Sequence, residues 1–510
     1  MALVEGVAGS AGERRRLQLK SPATLEVIGE IEVATADDVR AAVERARKAQ
    51  PAWAEASFDE RARHLRRAVR LLLANETEYA AVIARETGKP EIEILLTELV
   101  SACDALEFYA KRAKRLLAER SVPLHLMKNK KLRLVYKPLG VVGIVTPWNF
   151  PFILSLNPTV QALAAGNAVV LKPSEATPQS GKLVEELFRA AGLPEGLVTC
   201  VLGDGETGAA LVEAGVDKIA FTGSVRTGRK VAEACGRQLI PCTLELGGKD
   251  PMIVCADADL ERAANGAVFG AFSNAGQVCV STERVYVVDA VADEFIRRVV
   301  ENTAKLRQGV GGEADVGPMI WPPQLDTVER HVEDARQRGA QVLTGGRRNP
   351  LYEGLFYEPT VLTNVDHQML VMREESFGPL LPIMRVRDEA EALRLANDSG
   401  YGLNANVWTR DKRKGVELAR AIDSGCAVVN DCMVTYGIPE SPFGGVKSSG
   451  IGRVNGELGL RGYCHVQSIV VDRFGGKSEL LWFPYDARKT RLLRRALRFI
   501  WGTPLGRWLS

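Results

Sequence analysis

Along residues 37–120 apolar positions recur at helical spacing. In RHLRRAVRLLLANETEYAAVIARETGK, Leu65, Val69, Leu72 and Leu73 fall on one face, so the segment predicts several amphipathic helices. Residues 132–138 (LRLVYKP) predict a strand. From residue 140 the texture changes. The β-branched runs GVVGIVTP, AVVLKP, GLVTCVLG and KIAFTG alternate with helix-like segments of roughly a dozen residues, the length a βαβ crossover needs. This alternation predicts a parallel sheet with helices on both faces, and ligands of such sheets bind at the C-terminal strand ends. A second alternation starts near MIVCAD at 252 and runs through ERVYVVD, QVLTGG, LLPIMRV, LNANVWT and CAVVND, enough for a second α/β domain. The late run VQSIVVDR (466–473) follows the glycine-rich GGVKSSGIGR and lies too far along to sit inside either sheet. It predicts an edge strand, added to this chain or to a partner.

One apolar stretch needs separate treatment. Residues 138–171 hold no Asp, Glu, Lys or Arg, a length that could span a membrane. Pro147, Pro151 and Pro158, with Asn149 and Asn157, divide it into a buried strand, a loop, a buried helix and another strand. The N-terminus does not read as a secretory leader, because Glu5 and glycines interrupt its apolar start and GERRR follows it.

Composition adds limits. A chain of 510 residues can bury a core without disulfides, so nine cysteines without CxxC spacing read as reduced thiols in a cytoplasmic protein. Five histidines and no HExxH or His/Cys array give no metal site. The net charge of +3 is uneven: residues 488–510 carry seven basic and no acidic residues, leaving 59 basic and 63 acidic elsewhere, a net −4.

Two stretches could meet a nucleotide. In IAFTGSVRTG (219–228) a strand feeds a helix near Val225 through Gly223–Ser224, and the exposed N–H groups of such a turn favour phosphate. The plain alternative is an ordinary βα turn. VVLKPSEATP (169–178) puts Lys172 and Glu175 beyond a strand end, where they could grip ribose hydroxyls; the alternative is a solvated loop with Ser174 or Thr177 capping the next helix. Three others could carry chemistry. Cys279, in NAGQVCVST, offers a nucleophilic sulfur. Glu245, in TLELGGKDP, could act as a general base beside Gly247–Gly248, which leave room for a close approach. Asn149, in TPWNFP, could donate its amide to an oxyanion. Each has a bland reading as packing, a structural carboxylate or a turn residue, and spacing alone cannot bring 149, 245 and 279 together.

Eight blocks in order, TPWNFP, LKPSE, FTGSVRTG, LELGGKDP, FSNAGQVC, EESFGP, NDSGYGLNANVWT and SPFGGVKSSGIGR, resemble the NAD(P)-dependent aldehyde dehydrogenase superfamily from about residue 20 to about 472. The detail, including GLFYEPTVLTNV, is most similar to general and succinate-semialdehyde-type bacterial members. The resemblance implies Cys279 as nucleophile, Glu245 as general base and Asn149 as oxyanion donor with the Cys279 N–H. It implies Lys172 and Glu175 on the adenosine ribose, Gly223 and Ser224 at the pyrophosphate, and Glu375 and Phe377 on the nicotinamide ribose. It also puts Thr146, Pro147, Trp148, Ser174, Gly228 and Leu246 along the cofactor. The implied reaction adds Cys279 to an aldehyde, expels hydride onto the nicotinamide and hydrolyses the thioester through Glu245. Glu175 disfavours a 2′-phosphate, so NAD is expected, with NADP kept open by Lys172.

The implied fold is α/β: two parallel-sheet α/β domains (a Rossmann-like cofactor domain and a catalytic domain), a small β oligomerisation element and a C-terminal amphipathic helix. The expected division is 20–122 and 139–247 for NAD, 248–440 for catalysis, 123–138 and 463–487 for bridging between subunits of a homodimer or homotetramer, and 488–510 as a basic tail. Asn157 and Ser273 stand where succinate-semialdehyde enzymes of the family carry arginines, and Phe152, Ile153, Leu154 and Leu156 predict a greasy tunnel. An aliphatic or aromatic aldehyde is therefore expected; succinate semialdehyde, or a non-catalytic membrane-associated scaffold on the same fold, are the alternatives. In the tail, Leu492, Leu493, Ala496, Leu497 and Ile500 share a helical face opposite Arg491, Arg494, Arg495 and Arg498, with Trp482, Trp501 and Trp508 nearby. That pattern fits peripheral contact with an anionic membrane, or packing on a neighbouring subunit; no module for nucleic acid accompanies it.

Overall fold

The structure, a computed structural model, describes residues 3–7, 14–480 and 482–509. Residues 1, 2 and 8–13 of the N-terminal stretch read for a leader lie outside the described residues, as does the side chain of Trp508.

The chain forms two compact units. The first comprises Met1–Leu116 and Pro138–Tyr463. Within it, a six-stranded sheet runs in the order Gly450–Ile451, Cys242–Glu245, Lys218–Thr222, Val141–Val145, Ala168–Lys172, Val198–Cys200. All neighbours are parallel except Gly450–Ile451, which is antiparallel to Cys242–Glu245. The strand order reverses between Val141–Val145 and Lys218–Thr222, and a crevice opens at such a switch point beyond the carboxyl ends of the strands. The loop TPWNFP leaves one of these two strands and Gly223–Ser224 leaves the other.

A seven-stranded sheet follows in the order Gln341–Thr344, Thr360–Thr363, Leu380–Val386, Thr282–Val288, Asp250–Val254, Asn406–Trp408, Val428–Val429. Only its first pair is antiparallel. Strand Thr282–Val288 is buried along its whole length, as a central strand covered on both faces must be. The four residues after Glu245 link the two sheets, so Glu245, Gly247 and Gly248 lie at the transition from one to the other.

The uncharged stretch resolves as expected into strand Val141–Val145, a loop, helix Ile153–Ala165 with every residue buried, and strand Ala168–Lys172. Among the described residues no helix is long and apolar enough to cross a membrane. Helix Phe58–Ala74 buries Ala62, Leu65, Ala68 and Leu72, whereas Leu73, assigned above to the same face, points outward. A three-stranded antiparallel sheet of Val4–Val7, Arg16–Lys20 and Val27–Glu32 escaped the sequence reading. Its middle strand, RLQLK, alternates exposed and covered positions, but the pattern lasts only five residues.

The second unit comprises Leu117–Lys137 and Cys464–Ser510. Strand Cys464–Asp472 is the edge of a sheet continued by Lys130–Pro138 and Arg120–Val122. Helices Ala487–Gly502 and Pro504–Leu509 follow.

Candidate active site

The loop after strand Val141–Val145 is fixed at several points. The Thr146 and Ser155 hydroxyls lie 2.8 Å apart, and the Ser155 hydroxyl donates to the Pro151 carbonyl at 2.7 Å. The Asn149 side chain is buried. Its Nδ2 donates to the Gln277 carbonyl at 2.9 Å, and Asn274 Nδ2 donates to the Asn149 carbonyl at 3.0 Å. The TPWNFP loop is thus bonded to NAGQVC, the loop of Cys279. That second loop takes an unusual path: Asn274, Ala275 and Gly276 adopt φ of 51°, 53° and 74°. Two successive non-glycine residues in the left-handed region cost about 1–3 kcal/mol each and persist only where neighbours hold them.

The neighbours are buried charged groups. Glu93 accepts from the Ser273 hydroxyl at 2.6 Å and from the Asn274 backbone N–H. Glu98 accepts from the backbone N–H groups of Phe152 and Ile153, at 3.1 and 2.8 Å, where helix Ile153–Ala165 begins. The Lys89 ammonium pairs with Glu98 at 3.2 Å and lies 3.8 Å from the centre of the Phe150 ring. Glu93 and Glu98 point inward together because a π-helical segment, Leu95–Val100, widens the turn between them. Burial pushes the Glu93 carboxyl up and the Lys89 ammonium down.

Cys279 is half-buried and lines a cleft of about 930 Å³ together with Asn149 and Glu245. Burial raises its thiol, and the nearby carboxyls of Asp250, Glu245 and Glu375 raise it further. On another side, Cys279 packs against an apolar cluster containing Val278, Val280, Leu403, Phe443 and the half-buried Met433 and Tyr436. Glu245 ends strand Cys242–Glu245, and neither carboxyl oxygen has a hydrogen-bond partner among the described residues. Burial holds its pKa well above the usual carboxylate range, with partial relief from Arg453. Room for this carboxyl comes from Gly444, where a Cβ would lie 2.9 Å from Glu245 Oε1. What Gly247 and Gly248 make room for is equally specific. A Cβ on Gly247 would sit 2.2 Å from the Glu375 carboxylate, and one on Gly248 would sit 2.6 Å from the Cys279 carbonyl.

The same cleft is lined by Thr146, Pro147, Trp148, Lys172, Ser174, Glu175, Gly223, Ser224, Leu246, Glu375 and Phe377. Lys172 and Glu175 pair at 3.1 Å. Ser224 caps helix Val225–Gln238 by accepting from Thr227 N–H, and the first helical N–H groups, those of Val225 and Arg226, have no intrahelical acceptor. The Gly223 N–H donates to the Glu245 carbonyl at 3.0 Å, tying this turn to the strand of the carboxyl. Glu375 accepts from Gly248 N–H at 3.0 Å, and its own carboxyl is pushed up to about 8 by burial and by Glu283. Glu283 in turn pairs with the buried Lys249 and accepts from the N–H groups of Ser376 and Phe377, both at 2.8 Å. Phe377 then meets the Trp148 ring edge-on, with centres 5.5 Å apart.

Gly228 is the exception among the sequence candidates. It does not line the cleft; it is buried inside helix Val225–Gln238, where a Cβ would fall 2.4 Å from the Leu246 side chain. Neither Ser174 nor Thr177 caps helix Pro178–Ala190 through its side chain: Glu86 accepts from the Gln179 and Ser180 N–H groups instead. The greasy run also separates. Leu154 reaches the cleft, whereas Phe152, Ile153 and Leu156 are core. Asn157 is bonded to Asn455 and Tyr436, at 2.8 and 3.2 Å. Sequence reasoning missed Arg226, Lys230, Trp321, Gln324 and Thr327, all of which line the cleft. The one available signal was WPPQ, whose prolines open helix Pro322–Gln337.

The aldehyde dehydrogenase family description matches residues 9–469. A 4,4'-diapolycopene aldehyde oxidase from Methylomonas sp is 42% identical over 94% of this chain and 91% of its own length. A glutarate-semialdehyde dehydrogenase from Pseudomonas putida is 37% identical over 92% of this chain and 97% of its own. Among solved structures, an aldehyde dehydrogenase from Mycobacterium tuberculosis complexed with NAD+ superposes with a TM-score of 0.86 at 35% identity, covering 90% of this chain and 95% of its own.

Proposed function

This chain belongs to the aldehyde dehydrogenase family, and from that premise we propose that it oxidises an apolar aldehyde to the carboxylic acid with Cys279 as nucleophile, Asn149 as oxyanion donor and Glu245 as general base. What supports the substrate class is the apolar packing behind Cys279, where the buried Val278, Val280, Leu403 and Phe443 meet the half-buried Met433 and Tyr436. A substrate carboxylate would need a buried cationic partner. Asn157 and Ser273 offer none: the first is bonded to Asn455, the second to the carboxyl of Glu93. Lys89 is already paired with Glu98.

The residues fit a nicotinamide dinucleotide. Lys172 and Glu175 would hold the adenosine ribose, the N-terminus of helix Val225–Gln238 with Gly223 and Ser224 the pyrophosphate, and Glu375 with Phe377 the nicotinamide ribose. Thr146, Pro147, Trp148, Ser174 and Leu246 would form the walls. The Glu175 carboxylate favours NAD over a 2′-phosphorylated cofactor. When bound, the dinucleotide supplies the hydride acceptor that converts the Cys279 adduct to a thioester. Before that conversion, the Cys279 thiol passes its proton to solvent water and its sulfur bonds the aldehyde carbon. The oxygen becomes an oxyanion steadied by the Asn149 amide and the Cys279 N–H. Afterwards the ionised Glu245 takes a proton from water, the hydroxide attacks the thioester, the C–S bond breaks and the acid leaves.

In this reading residues 20–122 and 139–247 hold the dinucleotide and 248–440 supply the nucleophile. Exposed Val466, Val470 and Val471 on the edge strand Cys464–Asp472 support a homodimer or homotetramer. Nine free cysteines support a cytoplasmic location, with peripheral membrane contact through the C-terminal helix.

The test is NADH production from hexanal, benzaldehyde, succinate semialdehyde and glutarate semialdehyde, with Cys279→Ala as control. Higher kcat/KM for hexanal or benzaldehyde supports the apolar reading. The name of the Pseudomonas putida relative favours a second reading, a semialdehyde carrying a carboxylate; preference for the semialdehydes would establish it. Equal silence of wild type and Cys279→Ala on all four would sink both.

A further inference from the structure

Helix Ala487–Gly502 has sixteen residues, none of them buried. At 100° per residue its side chains divide into two arcs. Leu492, Leu493, Ala496, Leu497, Phe499 and Ile500 fill one, and Arg491, Arg494, Arg495 and Arg498 fill the other. The apolar arc is open: Leu492 is 53% and Leu497 55% exposed. One charge interrupts it by position, Lys489, but its ammonium bends back to the Trp482 carbonyl at 2.7 Å. Asp486 caps the helix by accepting from Lys489 N–H at 2.7 Å. Exposed aromatic rings stand at both ends, Trp482 and Phe483 before the helix and Trp501 at its close.

We infer that helix Ala487–Gly502 docks in the plane of an anionic lipid surface, its leucines and aromatic rings in the headgroup boundary and its arginines on lipid phosphates. Three observations argue for lipid. The polar arc has a single sign: from 488 to 510 there is no acidic residue, and no ion pair of the four arginines occurs among the described residues. Such an arc complements a surface of uniform negative charge, while a protein partner more often offers mixed charge. Tryptophan at both ends, with Phe483 beside the first, suits a boundary apolar on one side and wet on the other. The length, about 24 Å at 1.5 Å per residue, is too short to cross a hydrocarbon core of about 30 Å but sufficient to lie on it. Docking would hold the enzyme at the phase into which apolar aldehydes partition. That consequence rests on the apolar-substrate reading above; the docking itself does not.

Flotation of the full-length protein tests this. Vesicles of phosphatidylcholine alone are compared with vesicles of phosphatidylcholine and phosphatidylglycerol, at low and high salt. Two variants accompany the wild type: Arg491→Gln, Arg494→Gln, Arg495→Gln and Arg498→Gln together, and Leu492→Gln, Leu493→Gln and Leu497→Gln together. The expected result is flotation with the anionic vesicles only, weakened by salt, and on the order of a thousandfold weaker partitioning for the arginine variant. The leucine variant should also lose binding. NADH production from a water-soluble aldehyde should be unchanged in both, which separates failure of docking from failure of the catalytic reading. The inference is overturned if the wild type does not float, or if either variant floats as well as it does. Retention on duplex DNA that survives in the leucine variant, together with its undiminished flotation, would assign the patch to polyanions in general. A fall in solution mass in either variant would assign it to a second copy of the chain.

Discussion

The Asn149 side-chain nitrogen donates to the carbonyl of Gln277, two residues before Cys279, at 2.9 Å. An amide nitrogen has two hydrogens, so this bond fixes the donor's direction and leaves the other hydrogen for a developing oxyanion. The cost of losing a preorganised donor of this kind is about 10²–10³ in kcat. Asn149→Ala is therefore expected to lower kcat by that factor with KM changed much less, read by steady-state NADH production. Equal losses in binding and turnover would instead mean that the side chain only holds the two loops together.

The buried charges behind these loops should matter from a distance. Glu93 holds the Cys279 loop at Ser273 and Asn274, Glu98 holds the oxyanion loop at Phe152 and Ile153, and Lys89 pairs with Glu98. Removing one partner of a buried pair strands the other, at a cost of about 3–5 kcal/mol. Lys89→Met should thus lower the melting temperature sharply, and adding Glu98→Gln should recover part of the loss because the amide oxygen still accepts from the helix N-terminus. Glu93→Ala is expected to lower kcat more than it raises the aldehyde KM. A Lys89→Met protein as stable as wild type would remove this account.

Burial raises Cys279 and Glu245 alike, and in the proposed mechanism both must shed a proton to act. With saturating cofactor, kcat/KM should climb as pH rises above neutrality because it reports the Cys279 thiol, whereas Glu245→Gln should flatten the pH dependence of kcat, in which hydrolysis appears. Stability runs the other way. Glu86 is raised to about 7 and Glu375 to about 8, from an ordinary value of 4.5, in both cases chiefly by burial. Their folded forms keep a proton that the unfolded chain has lost, so the stability they contribute is complete below 4.5 and is lost as pH rises through 7 and 8. The melting temperature of the cofactor-free protein should fall across that window, with the upper part absent in Glu375→Gln. A melting temperature that rises with pH there would contradict the buried, protonated carboxyls.

Sequence and structure part company where tertiary burial decides. Strand–turn–helix segments such as IAFTGSVRTG were legible because an apolar run, the Gly223–Ser224 turn and the helical pattern after it point to the same local geometry. The ordered blocks carried Cys279, Glu245 and Asn149 into one cleft by resemblance, which spacing could not do. Glu93 and Glu98 were not legible. In KPEIEILLTELV they look like the polar face of a surface helix, and only the widened turn and the packing of two distant loops bring them inside. Glu283 was hidden in the same way, within a strand read for its valines. Gly228 was misplaced because a glycine in a phosphate-type turn and a glycine at a tight helix–strand contact are identical in sequence.

In the proposed mechanism Glu245 is needed only after the thioester has formed, and it stands in space cleared by Gly444. Glu245→Gln should therefore keep a rapid burst of NADH, up to one equivalent per active site, and lose the steady state that follows. Gly444→Ala would push a methyl group to 2.9 Å from Glu245 Oε1, at a backbone φ of +152°. The carboxyl would have to move, so this variant should also burst normally and turn over slowly. Cys279→Ala should give neither burst nor steady state, because no sulfur is present to form the adduct. Stopped-flow absorbance of NADH separates the three outcomes. A Glu245→Gln enzyme with no burst would place the carboxyl before hydride transfer, as the base that ionises Cys279, and its missing hydrogen-bond partners would then mark a proton acceptor for the thiol.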